Sequence, residues 1–169
     1  MIKLFNTLTR QKEEFIPLRD KEVGLYTCGP TVYDYAHIGN LRTFLFEDIL
    51  RRTLEYSEYK VKHIMNITDV EDKIITSSQK AGLSLKTFTR KYEKVFKEDL
   101  KKLNIKSPSK FTRATEHISD MIKLIETLLV KGLAYQIEGS VYFKTSAFKK
   151  YGELAHLDMK GLKFGARVE

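Results

Sequence analysis

Val23-Gly24-Leu25-Tyr26-Thr27 is a short β-prone run that stops at Cys28-Gly29-Pro30, a turn signal. A helical period follows. Leu41, Phe44, Leu45, Ile49 and Thr53 fall at i, i+3, i+4, i+8 and i+12, with Arg42, Glu47, Arg51 and Arg52 on the more polar faces. That pattern predicts a helix from about Leu41 to Tyr56. Val61-Lys62-His63-Ile64-Met65-Asn66-Ile67 then reads as a second strand. Strand, turn, helix and strand make a βαβ unit, which implies a parallel sheet with a right-handed crossover. The expected fold class is α/β.

Beyond this unit the sequence predicts three more helices. Thr68-x-x-Glu71 has the form of a capping box and is expected to open a short helix through Lys80, stopped at Gly82. Phe88, Tyr92, Val95, Phe96, Leu100 and Leu103 form the apolar stripe of the next. Ile118, Met121, Ile122, Ile125, Leu128 and Leu129 form that of the last, ended by Gly132. Ser107-Pro108-Ser109, between these two, reads as a linker. Leu133–Ile137 and Val141–Phe143 suit a hairpin around Glu138-Gly139-Ser140, and no period is visible from Tyr151 to Glu169. Two or three strands are only part of a doubly wound sheet, so the chain reads as the first half of one.

At 169 residues, 42% hydrophobic and 31% charged, the chain suits a globular fold with a real core, and ten Phe and nine Tyr argue against disorder. No run of 18 apolar residues occurs, so no transmembrane helix is expected, and the N-terminal residues lack the pattern of a secretory signal. One cysteine, Cys28, fits a reducing cytoplasm and points to a ligand or nucleophile rather than a disulfide. The formal charge of +8 favours a polyanionic partner. From Lys86 to Arg113, ten basic residues stand against Glu93, Glu98 and Asp99. A solvated helix face and a nucleic-acid contact both account for that segment.

Dinucleotide-binding, P-loop, zinc-finger and nucleophile-elbow patterns are absent. What remains is Cys28-Gly29-Pro30-Thr31-Val32-Tyr33-Asp34-Tyr35-Ala36-His37-Ile38-Gly39-Asn40. The predicted topology puts this loop at the carboxyl end of a strand, where open α/β sheets bind ligands. The following helix N-terminus favours phosphate. His37 can donate to a phosphate, and Gly39 lets a flat ring approach the backbone. A tight turn with a capping His and a buried Cys is the competing reading.

Tyr26-Thr27-Cys28-Gly29-Pro30-Thr31-Val32-Tyr33-Asp34, followed by His37-Ile38-Gly39-Asn40, closely resembles the cysteinyl-tRNA synthetases, which are class I aminoacyl-tRNA synthetases. Asn66-Ile67-Thr68-Asp69-Val70-Glu71-Asp72-Lys73-Ile74, Leu103-Asn104-Ile105, Arg113-Ala114-Thr115-Glu116-His117-Ile118 and Gly165-Ala166-Arg167-Val168 match in order. The resemblance implies a class I Rossmann-like parallel sheet. Residues 1–115 would be the N-terminal half of the nucleotide-binding catalytic domain, and 116–169 the beginning of the connective-peptide insertion.

It also implies activation of cysteine with ATP and Mg2+ to cysteinyl-adenylate, then transfer to tRNA(Cys). His37, Ile38, Gly39 and Asn40 match the ATP-cradling signature, with His37 and Asn40 as catalytic candidates. Gly29, Thr31 and Thr68 match the cysteine pocket, and Cys28 matches a zinc ligand whose companions lie beyond residue 169. Zinc would select cysteine's thiolate over serine's hydroxyl. Asp69, Glu71 and Asp72 read as charges at a helix N-terminus rather than a metal site. The expected partners are tRNA(Cys), cysteine, ATP and the protein's own C-terminal half, with no membrane. A related ligase that joins cysteine to an amino sugar, and a non-catalytic truncated remnant, are the alternatives.

Overall fold

A computed structural model of the chain describes residues 1–158 and residue 161. The matching segment Gly165–Val168 lies outside the described residues. Two units are present, Pro17–Ser119 and a second made of Met1–Ile16 with the residues from Asp120 onward.

In the first of these units, β3 (Glu22–Thr27), β4 (Lys60–Ile67) and β5 (Lys110–Arg113) form a parallel sheet in the order β3-β4-β5. Helix α1 (Ile38–Tyr56) crosses from β3 to β4, and α2 (Asp72–Lys80) and α3 (Leu85–Lys102) cross from β4 to β5. The α/β expectation holds.

Phe44 of α1, Met65 of β4, Phe96 and Leu100 of α3, and Ile105 form the buried cluster beneath the sheet, with Leu41 and Phe111 packed on it. The Phe44 and Phe96 rings meet edge to face at 5.0 Å. Strand β5 was not anticipated. Ser107-Pro108-Ser109 is not a linker but its fixed lead-in. Pro108 is buried, Ser109 donates its N–H to the His63 carbonyl at 2.8 Å, and Arg51 donates to the Ser107 carbonyl at 2.7 Å. A turn-forming composition does not prevent a segment from being tied into a sheet when its backbone groups find partners.

Two helix starts also differ from expectation. Helix α1 begins three residues before Leu41, because His37 and Asn40 cap it reciprocally. Helix α2 begins at Asp72, with Glu71 at the cap position and no side-chain cap bond. Thr68 is therefore no cap; its N–H is taken by the Pro30 carbonyl at 3.0 Å.

The other unit contains β1 (Lys3–Asn6) paired with β2 (Gln11–Glu14), a hairpin that polar residues concealed in the sequence. It also holds α4 (Ile118–Val130) from Asp120 onward and the β6 (Ala134–Ile137)–β7 (Ser140–Phe143) hairpin. Glu138 and Gly139, at φ 49° and 82°, make the expected tight turn of that hairpin. Among the described residues, no helix is long and apolar enough to cross a membrane.

Candidate active site

Three loops leave the carboxyl ends of the parallel strands: Cys28–His37 after β3, Thr68–Glu71 after β4 and Ala114–His117 after β5. Parallel pairing brings them to one end of the sheet. The first two are laced together. Thr31 and Thr68 form a parallel bridge, with Val32 donating to the Thr68 carbonyl at 3.1 Å. Asn66 braces the pair from below. Its Oδ1 accepts the Gly29 N–H at 2.9 Å, and its Nδ2 donates to Thr68 Oγ1 at 3.3 Å.

Gly29 is there because nothing larger fits: a Cβ would lie 1.7 Å from the Asn66 carbonyl oxygen. The structure thus joins Gly29 to Thr68 through Asn66, a residue the sequence motif contains but to which no role was given, and Thr31 to Thr68 through the backbone bridge. Asp69 does something other than charge a helix terminus. It is buried and accepts from Thr115 twice, from N–H at 2.9 Å and from Oγ1 at 2.6 Å, pinning the third loop to the second. Asp72 lies in the first turn of α2, as expected.

At the start of α1, His37 Nδ1 accepts the Gly39 N–H at 3.1 Å, and Asn40 Oδ1 accepts the His37 N–H at 3.1 Å. Neutral His37 therefore carries its proton on Nε2, and Asn40 keeps its NH₂ group free of this exchange. Both residues are left with donors. The flat ring that Gly39 admits is the imidazole of His37 itself, since a Cβ would stand 2.9 Å from its Cε1.

A cleft of about 360 Å³ opens beside this cap, within the usual size range of small-molecule sites. The backbone from Gly29 to His37 forms one wall, Phe44, Tyr92 and Phe96 supply an aromatic floor, and Asn40, Glu71 and Lys73 bring polar groups. Lys73 Nζ sits 5.7 Å over the Tyr33 ring, and Tyr35 meets Tyr92 edge to face at 5.3 Å. Sequence reasoning singled out His37, Asn40, Gly29 and Thr31 but missed this aromatic lining. Its members lie far apart in the chain, and Phe44, Tyr92 and Phe96 read as core.

Other candidates stand apart. Ile38 is 85% exposed, and Gly39 lines a separate depression with Arg42, Thr43 and Phe46. Cys28 is exposed, not buried as the turn reading required, and it lies outside the cleft lining, as does Thr68. Among the described residues no group of three or more His, Cys, Asp or Glu is placed to hold a metal ion. Zinc takes three or four donors, so Cys28 alone does not make its site.

Directly before Cys28, the Thr27 hydroxyl bonds His63 Nε2 at 2.8 Å, and Glu47 of α1 reaches the same hydroxyl. Burial pushes the Glu47 carboxyl above its ordinary pKa, against the Thr27 hydrogen bond, and burial lowers that of His63. On α3, Glu93 is buried and takes Arg113, Lys97 and Arg90. Burial raises its pKa, but the hydrogen bonds from Arg113 and Lys97 and the nearby charges prevail and hold it at about 2.

A family model described as tRNA synthetases class I (C) catalytic domain matches residues 14–169. The chain belongs to this family. Among curated members it is 53% identical over 169 residues to a cysteine–tRNA ligase of Methanosarcina mazei, covering 100% of this chain and 36% of that protein. It is 52% identical over 165 residues to a cysteine–tRNA ligase of Brachyspira hyodysenteriae, covering 98% of this chain and 35% of that one. The chain thus spans about a third of the length of the curated relatives it matches. The class I fold is shared with a solved Agrobacterium radiobacter K84 LeuRS in ternary complex with tRNA and LeuAMS, at a TM-score of 0.59 and 23% identity over 66% of this chain and 15% of that one.

Proposed function

We propose that this chain forms the ATP- and cysteine-handling portion of a cysteine–tRNA ligase of cytoplasmic translation. Residues 1–115 serve as the N-terminal half of its catalytic domain and 116–169 as the start of the connective-peptide insertion. The observation that carries the reading is the reciprocal cap of His37 and Asn40. It consumes the acceptors of both side chains and leaves donors at a helix N-terminus beside a nucleotide-sized cleft.

In the reaction, the carboxylate of cysteine attacks the α-phosphorus of ATP, and the bond to the bridging oxygen breaks. Pyrophosphate leaves and cysteinyl-adenylate remains; Mg2+, when bound, would offset charge on the phosphates. A hydroxyl of the terminal tRNA ribose then attacks the carbonyl carbon, the bond to the adenylate oxygen breaks, and AMP departs as the hydroxyl proton is released. His37 Nε2–H and the Asn40 amide oppose the charge that builds on the α-phosphate oxygens, a role of fixed donors rather than proton transfer. Thr31, with the Gly29 backbone, forms the wall against which the amino acid rests, and Thr68 holds Thr31 in place. Zinc, where the rest of the protein supplies its donors, would bind the cysteine thiolate beside Cys28.

The test is a chimera in which this chain replaces the matching segment of the Methanosarcina mazei ligase. Pyrophosphate exchange into ATP is expected with cysteine and not with serine, and loss of exchange is expected in His37→Ala. A folded chimera that exchanges with neither amino acid overturns the reading.

A further inference from the structure

Helix α3 carries more positive charge than its fold uses. Lys86, Arg90, Lys94, Lys97 and Lys101 follow at spacings of four, four, three and four residues. On an α-helix this confines them to an arc of about 80° along roughly 22 Å of axis. Residues at these spacings face each other, and like charges there oppose helix formation. Lys86 also stands in the first turn, at the positive end of the helix dipole, where no acidic residue compensates it.

One carboxylate serves the arc. Glu93 takes Arg90 and Lys97, each at 2.7 Å, and is already shared with Arg113. Lys86, Lys94 and Lys101 are exposed and have no acidic partner among the described residues. Lysines off the arc are placed differently. Lys102 pairs with Asp99 at 3.2 Å, Lys91 lies 5.1 Å over the Tyr92 ring, and Lys60 pairs with Glu22 at 3.7 Å.

We infer that this arc is a contact surface for the phosphate backbone of RNA. In the ligase reading, on which the inference rests, that RNA is the tRNA that accepts the amino acid. A line of solvated cations meets a chain of phosphates without needing a pocket or base recognition. A lipid surface fits less well. The apolar residues of α3, Phe88, Phe96 and Leu100, are buried against the protein, so the helix has no free apolar face to insert.

The experiment measures binding of the chain to labelled tRNA(Cys) across 50–200 mM salt. It compares the wild type with Lys86→Gln/Lys94→Gln/Lys101→Gln and with Lys60→Gln/Lys91→Gln/Lys102→Gln. The two variants lose the same charge. The arc variant is expected to weaken binding at least ~10-fold at low salt and to flatten the log–log salt slope by about 2. The off-arc variant is expected to stay within ~3-fold of wild type. Equal losses in both variants, no loss in the arc variant, or no RNA binding by wild type at 50 mM salt overturns the inference. So does tighter association with phosphatidylserine vesicles than with tRNA.

Relief of like-charge repulsion predicts an arc variant at least as thermostable as wild type, so misfolding is readable separately. Pyrophosphate exchange by the chimera needs no tRNA and is expected to survive the arc substitutions. Failure of the adenylation reading therefore registers in a different assay.

Discussion

Asp69 holds Thr115 with both carboxylate oxygens, one on the backbone N–H at 2.9 Å and one on the hydroxyl at 2.6 Å. The two residues follow different strands, so this contact fixes the loop after β5 against the loop after β4. Asp69 is only 5% exposed, and its loss leaves the half-buried Thr115 N–H without this partner. Asp69→Ala is expected to cost about 2–4 kcal/mol in urea unfolding, whereas Thr115→Ser, which keeps both donors, stays within about 1 kcal/mol. Equal stability of Asp69→Ala and wild type would show that the contact does not hold the loops.

Gly29→Ala places a methyl group where the Asn66 carbonyl stands, 1.7 Å from the oxygen. Backbone cannot yield as a flexible side chain can. The loop is expected to shift, with a fall in melting temperature and loss of pyrophosphate exchange in the chimera. An alanine variant with unchanged melting temperature and exchange would contradict the packing described.

Asn40→Asp separates the cap from the chemistry. Aspartate retains the oxygen that accepts the His37 N–H, and its charge suits a helix N-terminus. Thermal stability should hold or rise slightly. The donors are replaced by a charge that repels phosphate, so exchange is expected to fall by at least ~100-fold. Exchange within a few fold of wild type would remove Asn40 from the site.

Stability should fall in acid because of Glu93. Its folded pKa of about 2 lies below the ordinary glutamate value of 4.5, so its contribution is present above 4.5 and is lost as the pH falls through about 2. The full effect is about 3 kcal/mol. Glu93→Gln should flatten unfolding free energy between pH 5 and pH 2 and lower it at pH 7. An unchanged acid slope would show that the ion-pair hub lies elsewhere.

His63 acts at higher pH. Burial lowers its folded pKa, so the unfolded chain takes up the proton first, and stability is fully present above about 6.5 and declines as the pH falls below it. Replacement by Gln, which cannot titrate, is expected to remove that part of the slope in urea melts between pH 7.5 and pH 5. A slope that persists unaltered would assign it to other groups.

The βαβ unit was legible because Val23–Thr27, Leu41–Tyr56 and Val61–Ile67 carry strong local patterns bounded by turn residues. Less of the site was. Thr68-x-x-Glu71 is a true capping pattern in the sequence, but a backbone bond from Thr68 to Pro30 outcompetes it. Lys110–Arg113 is too short and too charged to announce a strand; its pairing with Ile64–Ile67 makes it one. Asn66 and Tyr92 take their place in the site from Gly29 and Tyr35, partners more than twenty positions away.

Because Asn66 clamps Gly29 and Thr68 together, and Thr31 and Thr68 are bridged through the backbone, the wall of the cleft arrives already shaped. A ligand entering it finds little freedom left to remove, so less of its contact energy is consumed in ordering the protein. Recognition here is closer to a key meeting a finished lock than to a loop closing around its guest. On the proposed reading, discrimination between ligands then owes little to a difference in how well each one closes that wall.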